Sequence, residues 1–329
     1  MQAPEKDKED DKDSPPTNPS ETRRGELPIR EHIAMVNDLP RGQKYLEAMK
    51  AKIRPGDVVL EVGTGAGLLS CMAARLGAKH VYTVERSAQL FEVAKRVMAA
   101  NGLSDKVTVI NAHSKDLVSM GVVPEPVDVF VTETIGTQGL DEGILPIFDH
   151  VRPLLSRKVR VIPESVTFKH CLVNMSGIRE HVEILRPLFG FDLSALNDEV
   201  KSNNLYWMQP IDQWREVSNT AETSHYGLLN FVSSRSEQKL EITDDNVCDG
   251  MLVWAEFKLA KHLTIDTRHR EFGQSWANSI HFMKRLIVVR GQICTSEFTI
   301  REDRNGWTMN WNIGPRPEAP NSPAQSPTG

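Results

Sequence analysis

Two hydrophobic rhythms divide the chain. From Asp57 to Pro163, short apolar runs alternate with stretches whose apolar residues recur every three or four positions. This reads as strand and helix in turn, and predicts a parallel sheet with helices on both faces. The expected strands are VVLEV (58–62), HVYTVE (80–85), KVTVI (106–110), VDVFVTE (127–133) and VRVI (159–162). Helices are expected from Leu68 to Leu76, Ala88 to Ala100 and Ile144 to Leu155. After Pro163 apolar and polar residues alternate, in SVTFKHCLVN (165–174), YGLLNFVS (226–233), GMLVWAEFKLA (250–260), SIHFMKRLIVV (279–289), ICTSEFTIRE (293–302) and WTMNWNI (307–313). That rhythm predicts an antiparallel β domain, a barrel or a sandwich. Residues 178–215 interrupt it with a mixed, partly helical insertion. Ahead of the first strand, Ile29 to Lys52 carries a helical pattern (Ile33, Val36, Tyr45, Leu46, Met49) broken at Pro40.

The two ends lack such patterning. Residues 1–20 alternate lysine with acids before turning to Ser, Pro, Thr and Asn, and residues 315–329 are similarly polar. Such segments bury too little apolar surface to fold, so both ends are expected to be disordered tails. The expected organisation is a tail to residue 28, an α/β domain over 29–162, a β domain over 163–314 with its insertion at 178–215, and a tail from 315. The 329 residues are 40% hydrophobic and 25% charged, ordinary values for a soluble globular protein. A net charge of −5 provides no basic field, so direct nucleic-acid binding is not expected. Cys71, Cys171, Cys248 and Cys294 are scattered, with no metal-ligand spacing; free thiols in a reducing compartment and no metal are expected. No apolar run approaches a membrane span and no signal peptide is evident, so a soluble protein of the cytoplasm or nucleus with no membrane partner is expected.

The chemistry gathers at the end of the first strand. Gly63, Gly65 and Gly67 follow VVLEV at alternate positions and lead into a helix. A dinucleotide fingerprint needs a small third residue in G-x-G-x-x-G, and here that place is Leu68. The G-x-G-x-G order after a strand containing Glu61 instead suits S-adenosyl-L-methionine, with glycines letting the backbone approach the ligand. Glu85 ends the second strand, where a carboxylate can accept hydrogen bonds from both ribose hydroxyls. After the fourth strand, VTETIGTQGLDEGILP sets Glu133 and Glu142 nine residues apart on a glycine-containing loop. Folded back, such a loop turns two carboxylates toward one cavity, an arrangement that holds the planar guanidinium of arginine. The plainer alternative is a solvated Glu133 and a Glu142 that caps the next helix.

Together, VLEVGTGAGLLS, TVERS, VDVFVTETIGTQGLDEGILP and the SW of GQSWANSIHF strongly resemble the protein arginine methyltransferases, over most of residues 29–313. The resemblance implies a Rossmann-like, seven-stranded S-adenosyl-L-methionine-binding domain followed by a β-barrel. A helical arm in the barrel, at 178–215 with FGFDLSAL at its centre, would dock on a second subunit. It further implies that Gly63, Gly65 and Gly67 line the cofactor, that Glu85 binds its ribose, and that Glu133 and Glu142 clamp the substrate. His32, Met35, Asp38 and Arg41 keep the family spacing; Arg41 would pair with the cofactor's carboxylate and Met35 would sit beside the methyl donor. Trp276 matches the tryptophan of the family's threonine-histidine-tryptophan loop.

Two features depart from the family. Ser275 replaces the histidine before that tryptophan, and the segment upstream of His32 lacks the aromatic residues that close over the cofactor. The implied activity is methyl transfer to arginines in proteins, arginine-glycine-rich or histone-like, by a homodimer or a heterodimer with a paralogue. A scaffolding subunit of an active paralogue and a small-molecule methyltransferase are the alternatives.

Overall fold

The computed structural model describes residues 28–184, 186–197, 205–207, 214–231, 235–268 and 276–315. Five strands build the α/β part: β1 (Val58–Val62), β2 (His80–Glu85), β3 (Val107–Asn111), β4 (Val127–Thr132) and β5 (Leu155–Ile162). They lie in the order β3-β2-β1-β4-β5, with every neighbouring pair parallel. All five residues of β1 are buried, as a central strand covered on both faces must be. Successive strands run outward from β1 in one direction to β3, and in the other from β4 to β5. The carboxyl end of β1 is therefore a switch point, where a crevice opens between diverging connections.

Six helices accompany the sheet: α1 (Ile29–Asn37), α2 (Leu39–Lys52), α3 (Leu68–Arg75), α4 (Ala88–Ala100), α5 (Leu117–Met120) and α6 (Ile144–Val151). The break in the first helical stretch falls at Asp38, ahead of Pro40. Asp38 caps α2 by accepting the Arg41 backbone N–H at 3.2 Å, and Pro40 occupies the first turn, where an N–H has no helical partner. α6 ends sooner than the periodicity predicts, because Arg152–Leu154 tightens into a 3₁₀ turn and Leu155 already begins β5. Among the described residues the parallel sheet has five strands, where the resemblance implied seven. The chain leaves β5 through Pro163 and pairs antiparallel thereafter.

The β part begins with β6 (Ser165–Asn174), followed by α7 (Ser176–Val182) and short strands β7 (Leu205–Trp207), β8 (Arg215–Glu216), β9 (Ala221–Glu222) and β10 (Tyr226–Gly227). It continues through β11 (Arg235–Glu241), β12 (Asn246–Ala260), β13 (Leu263–Asp266), β14 (Asn278–Val288), β15 (Ile293–Ile300) and β16 (Trp307–Ile313). One sheet runs β10-β6-β12-β14-β7, with β13 on β12 and β8 and β9 on β6; the other runs β11-β15-β16. Among the described residues, hydrogen bonding does not join them into one closed barrel. They share an apolar interior instead, where Phe168 of β6 stacks on Phe298 of β15 at 4.6 Å between ring centroids. The strand expected over 226–233 shortens to Tyr226–Gly227 within the described residues. β11, RSEQKLE, went unpredicted because only Leu240 marks its inner face as apolar; the buried neighbour on that face is Gln238. Cys71, Cys171, Cys248 and Cys294 are free thiols. Among the described residues no helix is long and apolar enough to cross a membrane.

The two parts are joined by charge and by packing. Lys52 at the end of α2 donates to the Val161 carbonyl at 2.6 Å and pairs with Glu164 at 2.8 Å; Glu164 also meets Lys258 of β12 at 3.2 Å. The loop after β4 lies directly on the β part. At Gly139, where φ is +84°, a Cβ would stand 2.5 Å from the Ala255 Cβ. Gly102 has a similar φ of +67°, with nothing within 4 Å of a Cβ. Chemical denaturation is expected to show Gly139→Ala costing about 2–4 kcal/mol, strain plus overpacking, against about 1 kcal/mol of strain alone for Gly102→Ala. Equal costs would contradict the close packing of this loop.

Candidate active site

The glycine turn is a piece of backbone that side chains would obstruct. Gly63, Gly65 and Gly67 have φ of +87°, +52° and +88°, in the left-handed region that favours glycine. A Cβ at Gly63 would come within 2.8 Å of the Thr134 methyl on the facing loop. The turn is fastened to β2: Gly63 and Thr64 donate to the Val84 carbonyl at 3.0 and 3.2 Å, and Gly65 donates to Glu85 Oε2 at 2.9 Å. The other Glu85 oxygen accepts the Ser87 N–H at 2.8 Å. Beneath the turn, Glu61 is buried and bonded to the hydroxyls of Ser70 and Thr83, tying β1 to α3 and β2. Burial pushes the Glu61 carboxyl up to about 7, against the pull of those two hydroxyls.

The turn forms one wall of a cavity of about 740 Å³. Glu85 lines it from the end of β2, Glu133 and Glu142 line it from the single loop after β4, and His32 and Met35 of α1 cover it. A smaller pocket of about 80 Å³ beside the turn is lined by His32, Met35 and Arg41. The loop from Glu133 to Glu142 rises from the carboxyl end of β4 and is rooted by the fully buried side chains of Ile135 and Leu140. Its backbone is also held from the β part: Trp276 Nε1 donates to the Ile135 carbonyl at 2.6 Å, and Trp307 Nε1 to the Gln138 carbonyl at 3.0 Å. Arg41 completes the group. Its guanidinium pairs with Glu133 at 3.2 Å, donates to the Met35 carbonyl at 2.6 Å, and lies 5.4 Å from the centre of the Trp276 ring.

The acids here outnumber the nearby arginines, Arg41 and Arg86. Burial pushes the Glu133 carboxyl up to about 7, with Arg41 pulling downward and Asp38 adding to the rise. Glu142 is reached by solvent through the cavity yet surrounded by protein; burial, then the charges of Glu133 and Asp141, push it up to about 8. Tyr45 donates to the Thr132 carbonyl at 3.1 Å beneath this loop, and burial holds its phenol well above the usual range. His32 is lowered by burial, against the opposing charge of Glu85. With Arg41 paired to Glu133 and Arg86 on the cavity wall, Glu133, Glu142 and Asp141 still outnumber the cations, which favours a further one.

The structure brings His32, Met35, Arg41, Gly63, Gly65, Glu85, Glu133 and Glu142 to the two adjoining cavities. Gly67 begins α3 behind the turn, and Trp276 stands behind the Glu133 loop through its bond to Ile135. Ser275 lies outside the described residues, as does the segment upstream of Pro28. Glu142 does not cap the helix that follows, since Gly143 holds that position and provides no side-chain bond. Sequence reasoning missed Asp141, His113 and His150 on the cavity wall, none of which carried a distinguishing spacing. It also missed the anchoring role of Glu61, although a lone acid inside an apolar strand was its signal.

Residues 41–142, from α2 through the second glutamate, match the model of the ribosomal protein L11 methyltransferase (PrmA) family. An arginine N(omega)-methyltransferase of Streptomyces achromogenes subsp. streptozoticus is 30% identical over 286 residues, covering 83% of this chain and 78% of that protein. Protein arginine N-methyltransferase 7 of Danio rerio is 34% identical over 163 residues, which is 47% of this chain and 24% of that protein. The latter match thus spans about a quarter of its relative's length. Among solved structures, the Trypanosoma brucei PRMT1 enzyme-prozyme heterotetrameric complex with AdoHcy is similar at a TM-score of 0.75 and 22% identity, over 86% of this chain and 92% of that one. The crystal structure of PRMT6-SAH is similar at 0.69 and 21%, over 87% of this chain and 100% of that one. At such identities the structures establish a shared fold. The Streptomyces relative, aligned over most of both chains, establishes more: this chain belongs to the arginine N-methyltransferase family.

Proposed function

We propose that this chain transfers a methyl group from S-adenosyl-L-methionine to a guanidinium nitrogen of arginine. The observation that carries the reading is the pair Glu133 and Glu142, facing one cavity with carboxyls raised to about 7 and about 8. A guanidinium entering between them supplies the missing charge and matches their planar geometry. The glycine turn fits the cofactor, because it offers bare backbone beside Glu85, whose carboxylate can accept from ribose hydroxyls. A cavity of about 740 Å³ is large enough for cofactor and arginine side chain together.

In this reading Gly63, Gly65 and Gly67 line the cofactor, His32 and Met35 cover it, and Arg41 shares its charge between Glu133 and the cofactor's carboxylate. S-adenosyl-L-methionine supplies an electrophilic sulfonium methyl. Glu133 and Glu142 orient the guanidinium for in-line attack, and their negative charge raises electron density on the attacking nitrogen. Glu142, the weaker acid of the two, accepts the proton that leaves the methylated nitrogen. Trp276 borders the arginine end, with Ser275 beside it in sequence. Intact clamp and turn support an active enzyme over a purely scaffolding subunit.

Residues 29–162 serve as the cofactor domain and 163–314 as the substrate domain, with tails on either side. The arm at 178–215, of which 185, 198–204 and 208–213 lie outside the described residues, docks on a second subunit in a homodimer or heterodimer. Phe189 is 99% exposed and Phe191 70%, and such apolar surface supports a docking role. Arginines in proteins of the cytoplasm or nucleus are the proposed substrates. A second reading, free arginine, is favoured by the name of the Streptomyces relative, which specifies arginine alone.

Transfer of labelled methyl from S-adenosyl-L-methionine to an arginine-glycine-rich peptide, to a histone and to free arginine tests the reading and separates its substrates. Glu133→Gln is expected to lower kcat/KM by about a hundredfold or more on whichever substrate is used; undiminished activity would remove the clamp from the mechanism.

The raised carboxyls also set a pH dependence. A carboxyl raised in the folded state stabilises fully below its unfolded value of 4.5, and that stability is lost as pH rises through about 7 and about 8. Glu142→Gln should therefore melt like the wild type near pH 4.5 and a few degrees higher near pH 8. Over pH 6–8.5, wild-type kcat/KM should rise, with apparent values that belong to the coupled pair. A melting difference that stays constant with pH would contradict the raised Glu142 carboxyl.

A further inference from the structure

We propose that Trp307 is a positioning residue for the glutamate clamp, fixing the outer half of the clamp loop through its indole N–H; this rests on the clamp reading above. Gly136 and Gly139 leave the Glu133–Glu142 loop with intrinsically free backbone, so its shape depends on what grips it. Its own grips are the Gly139 N–H on the Gly136 carbonyl at 2.9 Å and the Gln138 N–H on Asp141 Oδ1 at 3.0 Å. Two further grips come from the β part. Trp276 holds the inner half at the Ile135 carbonyl, and Trp307 holds the outer half at the Gln138 carbonyl, 3.0 Å away. Because Gln138 is itself bonded to Asp141, the residue before Glu142, a shift at Gln138 is passed directly to the second carboxylate.

The Trp307 indole is well suited to such a grip, because rings hold it on several sides. Phe298 lies 5.2 Å away between centroids, His281 5.0 Å and Phe168 6.3 Å. Trp307 opens β16, directly opposite Ile300 at the end of β15. The hairpin between them is fastened to the α/β part, where Arg304 pairs with Asp149 of α6 and lies 5.0 Å from the centre of the Phe231 ring. The same hairpin brings Asn305 to the cavity wall. One hairpin of the β part thus touches α6, the cavity and the clamp loop, and its tryptophan reaches the loop's backbone through a rigid planar indole. Phenylalanine at this position keeps an aromatic ring in the cluster but leaves the Gln138 carbonyl without its donor.

The test compares Trp307→Phe with Trp311→Phe, a tryptophan further along the same strand, in the full chain. Trp307→Phe is expected to lower kcat/KM for the arginine substrate by about fivefold to twentyfold, mainly through kcat. Calorimetric affinity for S-adenosyl-L-methionine should stay within about twofold of wild type, as a clamp-specific effect requires. Trp311→Phe should retain wild-type kinetics. Unchanged kinetics in Trp307→Phe, or a parallel loss of cofactor affinity, would overturn the proposal. Glu133→Gln run alongside separates the two levels: activity retained there removes the clamp itself, whereas activity lost there with a silent Trp307→Phe removes only the positioning role. If Trp307→Phe does not fold, hydrogen exchange of the wild-type indole N–H decides. Slow exchange supports the grip, and exchange as fast as that of Trp311 overturns it.

Discussion

Glu133 and Glu142 share one cavity with Arg41 paired to the first and Arg86 on the wall, and much of the surrounding structure serves to keep them there. Burial strips both carboxylates of hydration, and neighbouring acids add to it, Asp38 at Glu133 and Glu133 with Asp141 at Glu142, which is why both are raised well above their usual range. Such an arrangement persists only where the backbone that bears it is firmly held. Here it is held from below by Ile135 and Leu140, from the side by Trp276 and Trp307, and electrostatically by Arg41. Arg41 is positioned in turn by the Asp38 cap of α2 and by the Met35 carbonyl. The charge imbalance that destabilises the empty site is the same one that favours a cationic substrate.

The glycine turn answers a different constraint, that of close approach. Left-handed glycines at Gly63 and Gly65 bring bare backbone to the cavity at the end of β1. Glu85 receives two backbone N–H bonds, from Gly65 and Ser87, so its carboxylate is oriented before any ligand arrives. Glu61 supports the turn from beneath. A buried acid is tolerable there because Ser70 and Thr83 donate to it and because its raised pKa lets it carry a proton near neutral pH. The glycine turn and the glutamate loop therefore meet at the carboxyl edge of one parallel sheet, with His32 and Met35 of α1 and Arg41 of α2 beside them.

The parallel sheet was legible because its strands are apolar on both faces, so runs such as VVLEV stand out without any knowledge of partners. The Glu133–Glu142 pair was legible by spacing, and Glu85 by its distance along the chain from the turn. What the sequence concealed depends on contacts across long separations. β11 carries one inward apolar residue and a buried glutamine, which alternation cannot distinguish from a polar loop. Trp307 reads as one more residue of an alternating strand; its bond to Gln138 joins positions 169 residues apart. The pairing of Arg41 with Glu133 joins α2 to the loop after β4, and the matching charges alone do not reveal it.

The central claim is that Glu133 and Glu142 form a carboxylate pair short of counter-charge, built to receive a guanidinium. Carboxyl-carbon NMR titration of these two glutamates, with and without added arginine, tests it directly. The account predicts apparent midpoints near 7 and near 8 in the free protein, both falling by about 1–2 units when arginine binds. Midpoints near 4.5 for both carboxyls, unmoved by arginine, would contradict it.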